Sequence, residues 1–243
     1  MSRANIIRVV AASLLLLVVV AWLFFSCPEV RISQEYTQVA NNIRDIGVGF
    51  HEYHLKHGHF PPAIVYDKDG TPLYSWRVLL LPFLDQEPLY RRFKLDEPWD
   101  SPHNKQFLAK TPSPFHERAD PGWTHYQVIT GPGTAFERPG LSWKNDFPDG
   151  LSETLLVVEA RDPVPWSKPV DLVYDANGPL PAFSNHYKRR RYWLCFEVSA
   201  KPGFVAGFAD VSCLLIPGDT EEKILRAMIT RNGGEAFGPA DLK

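Results

Sequence analysis

Cysteine is scarce in this chain, with only Cys27, Cys195 and Cys213 among 243 residues. The last two sit in strand-like runs, RYWLCFEV and SCLLI, with the run GFVAGFA between them. In a simple meander they stand two strands apart, about 9–10 Å. A disulfide needs its Cα atoms within ~7 Å, so both are expected to be small buried hydrophobes rather than a bridged pair. An excess of positive charge is also missing. The net charge is −2, to which Arg3 and Arg8 contribute +2, leaving about −4 for the rest. That balance excludes a strongly basic nucleic-acid-binding domain as the default. Catalytic signatures are absent too. There is no G-x-S-x-G elbow, and no Gly-rich loop leads from a strand into a helix as a phosphate cradle requires. The GPGT run at 131–134 reads as a turn. No internal repeat, low-complexity tract or dividing linker appears.

The longest absence is of charge. Between Arg8 and Pro28 the run VVAASLLLLVVVAWLFFSC carries none, and Ser13 is its one polar interruption before Ser26. Nineteen helical residues at ~1.5 Å each span about 28 Å, close to the ~30 Å hydrocarbon thickness of a bilayer. A soluble core helix would carry a polar stripe. A cleaved signal has a shorter apolar region and a small-x-small site, whereas Phe24 and Phe25 stand there. Ser26-Cys27 keeps a lipidated Cys27 open as an alternative, as does ordinary cleavage. The expectation is a retained anchor over residues 1–27. Arg3 and Arg8 precede the span and Glu29, Arg31 and Glu35 follow it, so the amino terminus is expected in the cytoplasm and residues 28–243 outside it.

After the anchor, residues 29–57 read as one helix. Ile32, Tyr36, Val39, Ile43, Ile46, Phe50 and Tyr53 recur at alternating steps of four and three, drawing one apolar seam, with Glu35, Arg44, Asp45 and Glu52 off it. Gly58 suits the C′ position and Pro61-Pro62 blocks continuation. Asp69-Gly70 marks a turn. Ser75 is placed to cap a short helix over WRVLLLPFLD, and a second short helix is expected near 88–95. Ser101-Pro102 resembles a third start. Strands are expected at 125–129, 154–160, 191–198, 203–209 and 212–216. A last helix is expected over 219–231, opened by Asp219 or Thr220 and closed by Asn232-Gly233-Gly234. The fold class is therefore α+β: a transmembrane helix continuing into a long amphipathic helix packed on an antiparallel sheet.

Groups that could carry chemistry are present but unordered. His51, His54, His57 and His59 cluster at the helix end, yet HEYHL has its second His at i+3, where a zinc-protease helix needs i+4. Polar packing at a helix C-terminus, where imidazolium suits the macrodipole, is the simpler reading. Asp96, Glu97, Asp100, Asp149, Glu159 and Asp210 offer carboxylates that sequence cannot pair. Asp149 and Asp210 are the ones considered for calcium. Lys188–Arg191 precede the apolar run YWLCFEV, either as charges guarding a strand edge or as a contact for a polyanion or lipid headgroup. Trp76, Trp99, Trp123, Trp143, Trp166 and Trp193 either seal a core or stack on a carbohydrate. No catalytic, cofactor-binding or metal-ligating residue is assigned, and no cofactor is expected.

Several segments in order carry a resemblance: NNIRDIGVGFHEYHLKHGHFPPA (41–63), SWRVLLLPFLDQ (75–86), LDEPWDSPHNK (95–105), TGPGTAF (130–136), DGLSETLLVVEA (149–160), VPWSKPVDL (164–172), GFAD (207–210) and ITRNGGE (229–235). The chain resembles a planctomycete pseudopilin-like family, similar to the type II secretion pseudopilin G, catalogued as a domain of unknown function. The resemblance implies a pilin-type helix on an antiparallel sheet and a non-enzymatic role at the cell envelope. Two departures accompany it. The leader Gly and the Phe-Thr-Leu-x-Glu start of pilin-like helices are not matched, which argues against prepilin processing and assembly through that glutamate. The family's Asp-Gly-Ser-Val turn reads Asp210-Val211-Ser212-Cys213, and Val resists positive φ, so an altered turn is expected there. The partners expected are the membrane through one span and envelope proteins or a surface polymer, with no nucleic acid. Oligomeric state is left open. A tethered polymer-binding module and a tethered hydrolase are the alternative functions.

Overall fold

The structure, a computed structural model, describes residues 5, 13–20, 28–116, 121–185, 187–193 and 196–235. Its frame is the helix α1, Pro28–His57, which matches the expected 29–57. The seam follows the spacing: Val39, Ile43, Ile46, Phe50 and Tyr53 are buried and Tyr36 packs at the margin of the core. Ile32 lies outside the residues whose side chains are described. The helix ends where Gly58 takes φ +81 and donates its N–H to the His54 carbonyl at 2.7 Å, the C′ role that glycine fills without a Cβ clash.

Beyond α1 the chain forms a hairpin, β1 (Ile64–Tyr66) and β2 (Pro72–Ser75), around the Asp69-Gly70 turn. Ser75 then caps α2 (Trp76–Leu80), its hydroxyl accepting from the Arg77 N–H. A 3-10 turn follows at Leu81–Phe83, and α3 covers Glu87–Tyr90. The start expected at Ser101 yields only a 3-10 turn, Asn104–Phe107, with the Ser101 hydroxyl accepting from the Asn104 N–H.

The main sheet is antiparallel. It contains β3 (Trp123–Gln127), β5 (Leu155–Pro165), β7 (Tyr187–Trp193), β8 (Phe196–Phe208) and β9 (Cys213–Pro217). Two short strands, β4 (Ile129–Thr130) and β6 (Leu172–Val173), pair in parallel beside it. The order is β3-β5-β8-β7, with β9 also on β8. Register shows how three strands share β8. Gly203 pairs with Tyr187 and with Pro217, and Gly207 pairs near Val157 and with Cys213. Strands β5 and β7 therefore lie end to end along one edge of β8, and β9 lies along the other. From Gly203 back to Phe196 the only described partner of β8 is β7, so these two strands form a ribbon.

Both faces of the sheet are covered. Val205 and Ala209 face α1, while Phe204, Ala206 and Phe208 face the second apolar cluster beneath α4 (Glu222–Ile229). That two-sided burial explains why GFVAGFA reads as continuously apolar. The closest approach is at Gly207, where a Cβ would lie 2.5 Å from Ile43 Cγ2. Only glycine lets the helix sit that near the strand.

Three expectations are corrected. The run 191–198 is not one strand but the end of β7 and the start of β8, and β8 continues through residues 199–202, which lay between two expected strands. Pro202 is tolerated because its carbonyl accepts from Gly218 N at 2.6 Å. Its nitrogen points to that same side, so the missing N–H takes no bond from the β7 ladder. Helix α4 is shorter than 219–231. Its N-cap position is Glu221 with no side-chain cap, and the Thr220 hydroxyl donates to the Pro217 carbonyl instead. The turn at Asp210-Val211 keeps its tight form despite the Val. Val211 adopts φ +72, its N–H donates to the Phe208 carbonyl, and Ser212 N donates to Asp210 Oδ1. The expected anchor is a separate matter: no helix among the described residues is long and apolar enough to cross a membrane, and most of residues 1–27 lie outside them. Cys213 is buried and free, and Cys195 lies outside the described residues.

Phe50 packs its ring against Trp76 (4.8 Å between centroids), Phe136 (5.4 Å) and Phe60 (6.2 Å). Phe50→Ala is expected to cost roughly 3–5 kcal/mol, read as a lower denaturant midpoint for the domain that follows residue 27; an unchanged midpoint with weakened self-association would mean the seam serves another chain. The strained Val211 predicts the opposite sign. Val211→Gly should gain about 1 kcal/mol by relieving the left-handed penalty, and a lowered melting temperature would show that the contact of Val211 with Gly47 outweighs it.

Candidate functional site

The four histidines at the end of α1 do not converge. His51 Nε2 meets the Ala209 carbonyl at 2.6 Å, and His54 Nε2 meets the Ser142 hydroxyl at 2.9 Å. His54 stacks on Trp143 at 3.8 Å, His57 stacks on Tyr53 at 4.2 Å, and His59 Nδ1 meets the Phe60 carbonyl. Desolvation first, then the neighbouring His51 and His59, hold the His54 imidazole below its ordinary pKa. Desolvation and Lys56 do the same to His57. His51 and His54 pin the loop at Ser142–Trp143 onto the helix end. Among the described residues no group of three or more His, Cys, Asp or Glu is arranged to hold a metal ion.

Of the carboxylates singled out by sequence, Glu97, Asp149 and Asp210 each bond to separate partners. Glu97 accepts from Lys94 Nζ and the Ser101 hydroxyl. Asp149 accepts from Gly234 N, and Asp210 from Ser212 N. Glu159 is buried within β5. The tryptophans divide in the same way. Trp76 and Trp166 are wholly buried, and Trp99 and Trp143 are half-buried, with Lys168 Nζ 5.7 Å from the Trp99 ring. Trp123 is exposed, and the Trp193 side chain lies outside those described. Among the described side chains Trp123 is the one exposed indole, and neither of the two surface hollows is lined by a tryptophan.

Sequence reasoning passed over two polar centres. The first is Arg77, fully buried in α2. Its Nη2 donates to Asp171 Oδ1 (2.7 Å) and to the Tyr126 carbonyl (2.7 Å), Nε donates to the same carbonyl (3.0 Å), and Nη1 donates to the Ser75 hydroxyl (2.7 Å). Asp171 Oδ1 also accepts from Trp76 Nε1 and Val128 N. Burial pushes the Asp171 carboxyl up and the guanidinium down, and each partner's charge opposes that. Arginine's high intrinsic pKa keeps it protonated, and with its many donors engaged the pair stands as an ion pair. The second centre is Asn104, buried, whose Nδ2 donates to the Lys94, Glu97 and Pro98 carbonyls while its Oδ1 accepts from Lys94 N. It ties the LDEPWDSPHNK segment into one loop. The signal for Arg77 was available: one charge inside the otherwise apolar run WRVLLLPFL.

What remains open to a partner is the outer side of α1. Asp45, Val48, Glu52 and Leu55 recur at steps of three, four and three, on the face away from the seam. All four are exposed, Leu55 to 76%. Beside Asp45, Val48 and Glu52 runs an open groove of about 460 Å³, closed on its far side by Pro82–Gln86, Ser113 and Pro114. A smaller hollow of about 270 Å³ lies between Pro62–Ile64 and Phe136–Pro139. The ionisable residues lining the groove are Asp45, Glu52 and Asp85, and those lining the hollow are Tyr66, Glu137 and Arg138.

Residues 37–130 match the model of a family described as a protein of unknown function (DUF1559). The match begins in the seam of α1 and ends at β4, so it includes Arg77, Asn104 and the histidines. No curated protein and no solved structure matches the chain.

Replacing Arg77 by Met removes one partner of a buried pair and strands the Asp171 carboxylate, so the loss should be about 3–5 kcal/mol. Asp171→Asn should cost less, because its Oδ1 still accepts from Trp76 and Val128. Chemical denaturation of both variants checks the order; an Arg77→Met loss smaller than that of Asp171→Asn would refute the assignment.

Proposed function

We propose that this is a membrane-anchored, pilin-like envelope protein that works through protein or surface contacts and has no catalytic role. The observation that carries the anchor is the helical stretch at residues 13–20. Its side chains from Leu14 to Val20 are all exposed, Leu15 to 67%. Such a row of bare leucines and valines is costly in water and favourable in hydrocarbon. It belongs to the uncharged run that ends at Cys27, with Arg3 and Arg8 on the side retained in the cytoplasm.

The pilin-like reading is supported by a long helix laid by its apolar seam on an antiparallel sheet, directly after that run. The contact role is supported by how the chemistry-bearing residues are used. Histidines, tryptophans and carboxylates close loops onto the helix, and the exposed acidic and apolar stripe of α1 borders an open groove.

The test is topology in native cells. Membranes extracted with detergent should yield the chain at its full mass of 27.6 kDa, without loss of residues 1–27. External protease applied to spheroplasts should digest the domain while leaving a cytoplasmic marker intact. A mature amino terminus at Cys27 carrying lipid would replace the span with a lipid anchor, and a protease-resistant domain would overturn the orientation.

A further inference from the structure

One short stretch of loop is held to the end of α1 through histidine. Leu141 and Phe147 are buried at its two ends, and the Leu141 carbonyl accepts from Phe60 N at 2.8 Å. Between them Ser142–Asp146 closes on itself, with Asn145 N and Asp146 N both donating to the Ser142 carbonyl. Lys144 and Asn145 are exposed, and Trp143 is the one apolar side chain in the turn. Its indole lies against two imidazoles, 4.3 Å from His51 and 3.8 Å from His54 by ring centroids, with the Phe60 ring edge-on at 6.1 Å. Every described hydrogen bond or ring contact from α1 to this turn is made by one of those two histidines, including His54 Nε2 to Ser142 Oγ at 2.9 Å.

His54 is only 7% exposed, so a proton placed on it must be balanced from within the fold. The titratable and charged groups around it are His51 on α1, His59 just past the helix, and Lys144 and Asp146 in the turn. Lys56 and His57 follow it on α1, but Lys56 lies over Phe83 and His57 stacks on Tyr53. Asp146 is the one carboxylate among these groups, and both its oxygens are taken, Oδ1 by Arg138 at 3.2 Å and Oδ2 by Ser142 N at 2.8 Å. An imidazolium stacked on an indole gains a cation–π attraction, and a helix C-terminus favours positive charge. Both are smaller than the cost of a desolvated charge with no counter-ion. Desolvation, then His51 and His59, hold the His54 imidazole below its ordinary value of 6.5. The opened form therefore takes up the proton first, and closure weakens as the pH falls below about 6.5.

We propose that Ser142–Asp146 is an acid-released latch: His51 and His54 hold Trp143 on α1 at neutral pH, and protonation of His54 frees the turn and bares the indole with the Phe60 edge behind it. Opening gives His54 water and breaks only its bond to Ser142 and the ring contacts of Trp143. The bonds inside the turn move with it. Arg231 Nη1 donates to the Asp146 carbonyl at 2.7 Å and keeps that end in place, so the motion is a rotation about Leu141 and Asp146. Apolar surface at the end of α1 is thus withheld near neutrality and offered in acid. No step involves a membrane, so the latch stands or falls independently of the anchored reading above.

The full-length chain in a neutral detergent provides the test, with acrylamide as a soluble quencher of indole emission. The Trp143 signal is the difference between the wild-type chain and W143F. Lowering the pH from about 7.5 to about 5 should raise quenching of that signal at least about twofold, with the far-UV circular dichroism unchanged. The midpoint should lie below about 6.5 and coincide with that of the His54 Cε1–H resonance, assigned by its loss in H54Q. H54F keeps a ring against the indole but takes no proton, and should stay shielded at both pH values. Quenching that is flat on acidification would overturn the inference, and quenching that falls would show instead that the imidazolium grips the indole. An H54F chain that opens with the wild-type midpoint would overturn it by placing the trigger elsewhere. Loss of circular dichroism along with the rise would overturn it in favour of acid unfolding of the whole domain. If H54F does not fold, the two wild-type midpoints decide, and a separation of more than about one pH unit would overturn the latch.

Discussion

The buried contact between Arg77 and Asp171 is the constraint on which the middle of this domain depends. A guanidinium without solvent must have its donors satisfied or the fold loses several kcal/mol. Here the partners come from separate parts of the chain: Ser75 at the end of β2, the Tyr126 carbonyl in β3, and Asp171 in the loop before β6. Trp76 lies beneath the same guanidinium, 4.6 Å from its centre, and donates to the same carboxylate. The hairpin, α2, the main sheet and the small parallel pair are thereby fixed to one another by a single charged group. The Asn104 clamp repeats the principle locally, with one amide holding three carbonyls. Turn-rich segments that contribute few apolar residues need such polar ties, because their backbone groups cannot be left bare.

The helix and sheet meet under a different constraint, that of steric closeness. Gly207 lets Ile43 descend onto β8, and Gly47 leaves room for Val211 at the turn that follows. The left-handed conformation of Val211 is held because the turn is bonded on both sides, Phe208 N to the Ser212 carbonyl and Val211 N to the Phe208 carbonyl. Packing and hydrogen bonding over-determine that backbone, the condition under which such strain persists.

These demands account for the residues that looked chemical at first. A histidine stacked on an indole and bonded to a loop hydroxyl is closing a domain edge, and a tryptophan with no exposed surface offers nothing to a sugar. Exposed surface is left on the outer side of α1, where Asp45, Val48, Glu52 and Leu55 meet solvent.

Local rules made much of the architecture legible. The alternating three- and four-residue spacing identified α1 and its buried seam. Gly58, Asp69-Gly70 and Ser75 marked their turns and caps, because each acts within a few residues of itself. The continuously apolar runs 154–160 and 203–209 were recognised as strands for the same reason. What only the tertiary structure decided depends on partners distant in sequence. Pro202 lay between two expected strands until β8 was seen to run through it, with its carbonyl turned to the β9 side. Val211 looked incompatible with its turn until the surrounding bonds held it there. Arg77 stood as one charge in an apolar run, and only the structure showed Asp171, 94 residues away, as its partner. The fate of a charge, a proline or a strained residue is set by what packs against it, and that neighbour is not written nearby in the chain.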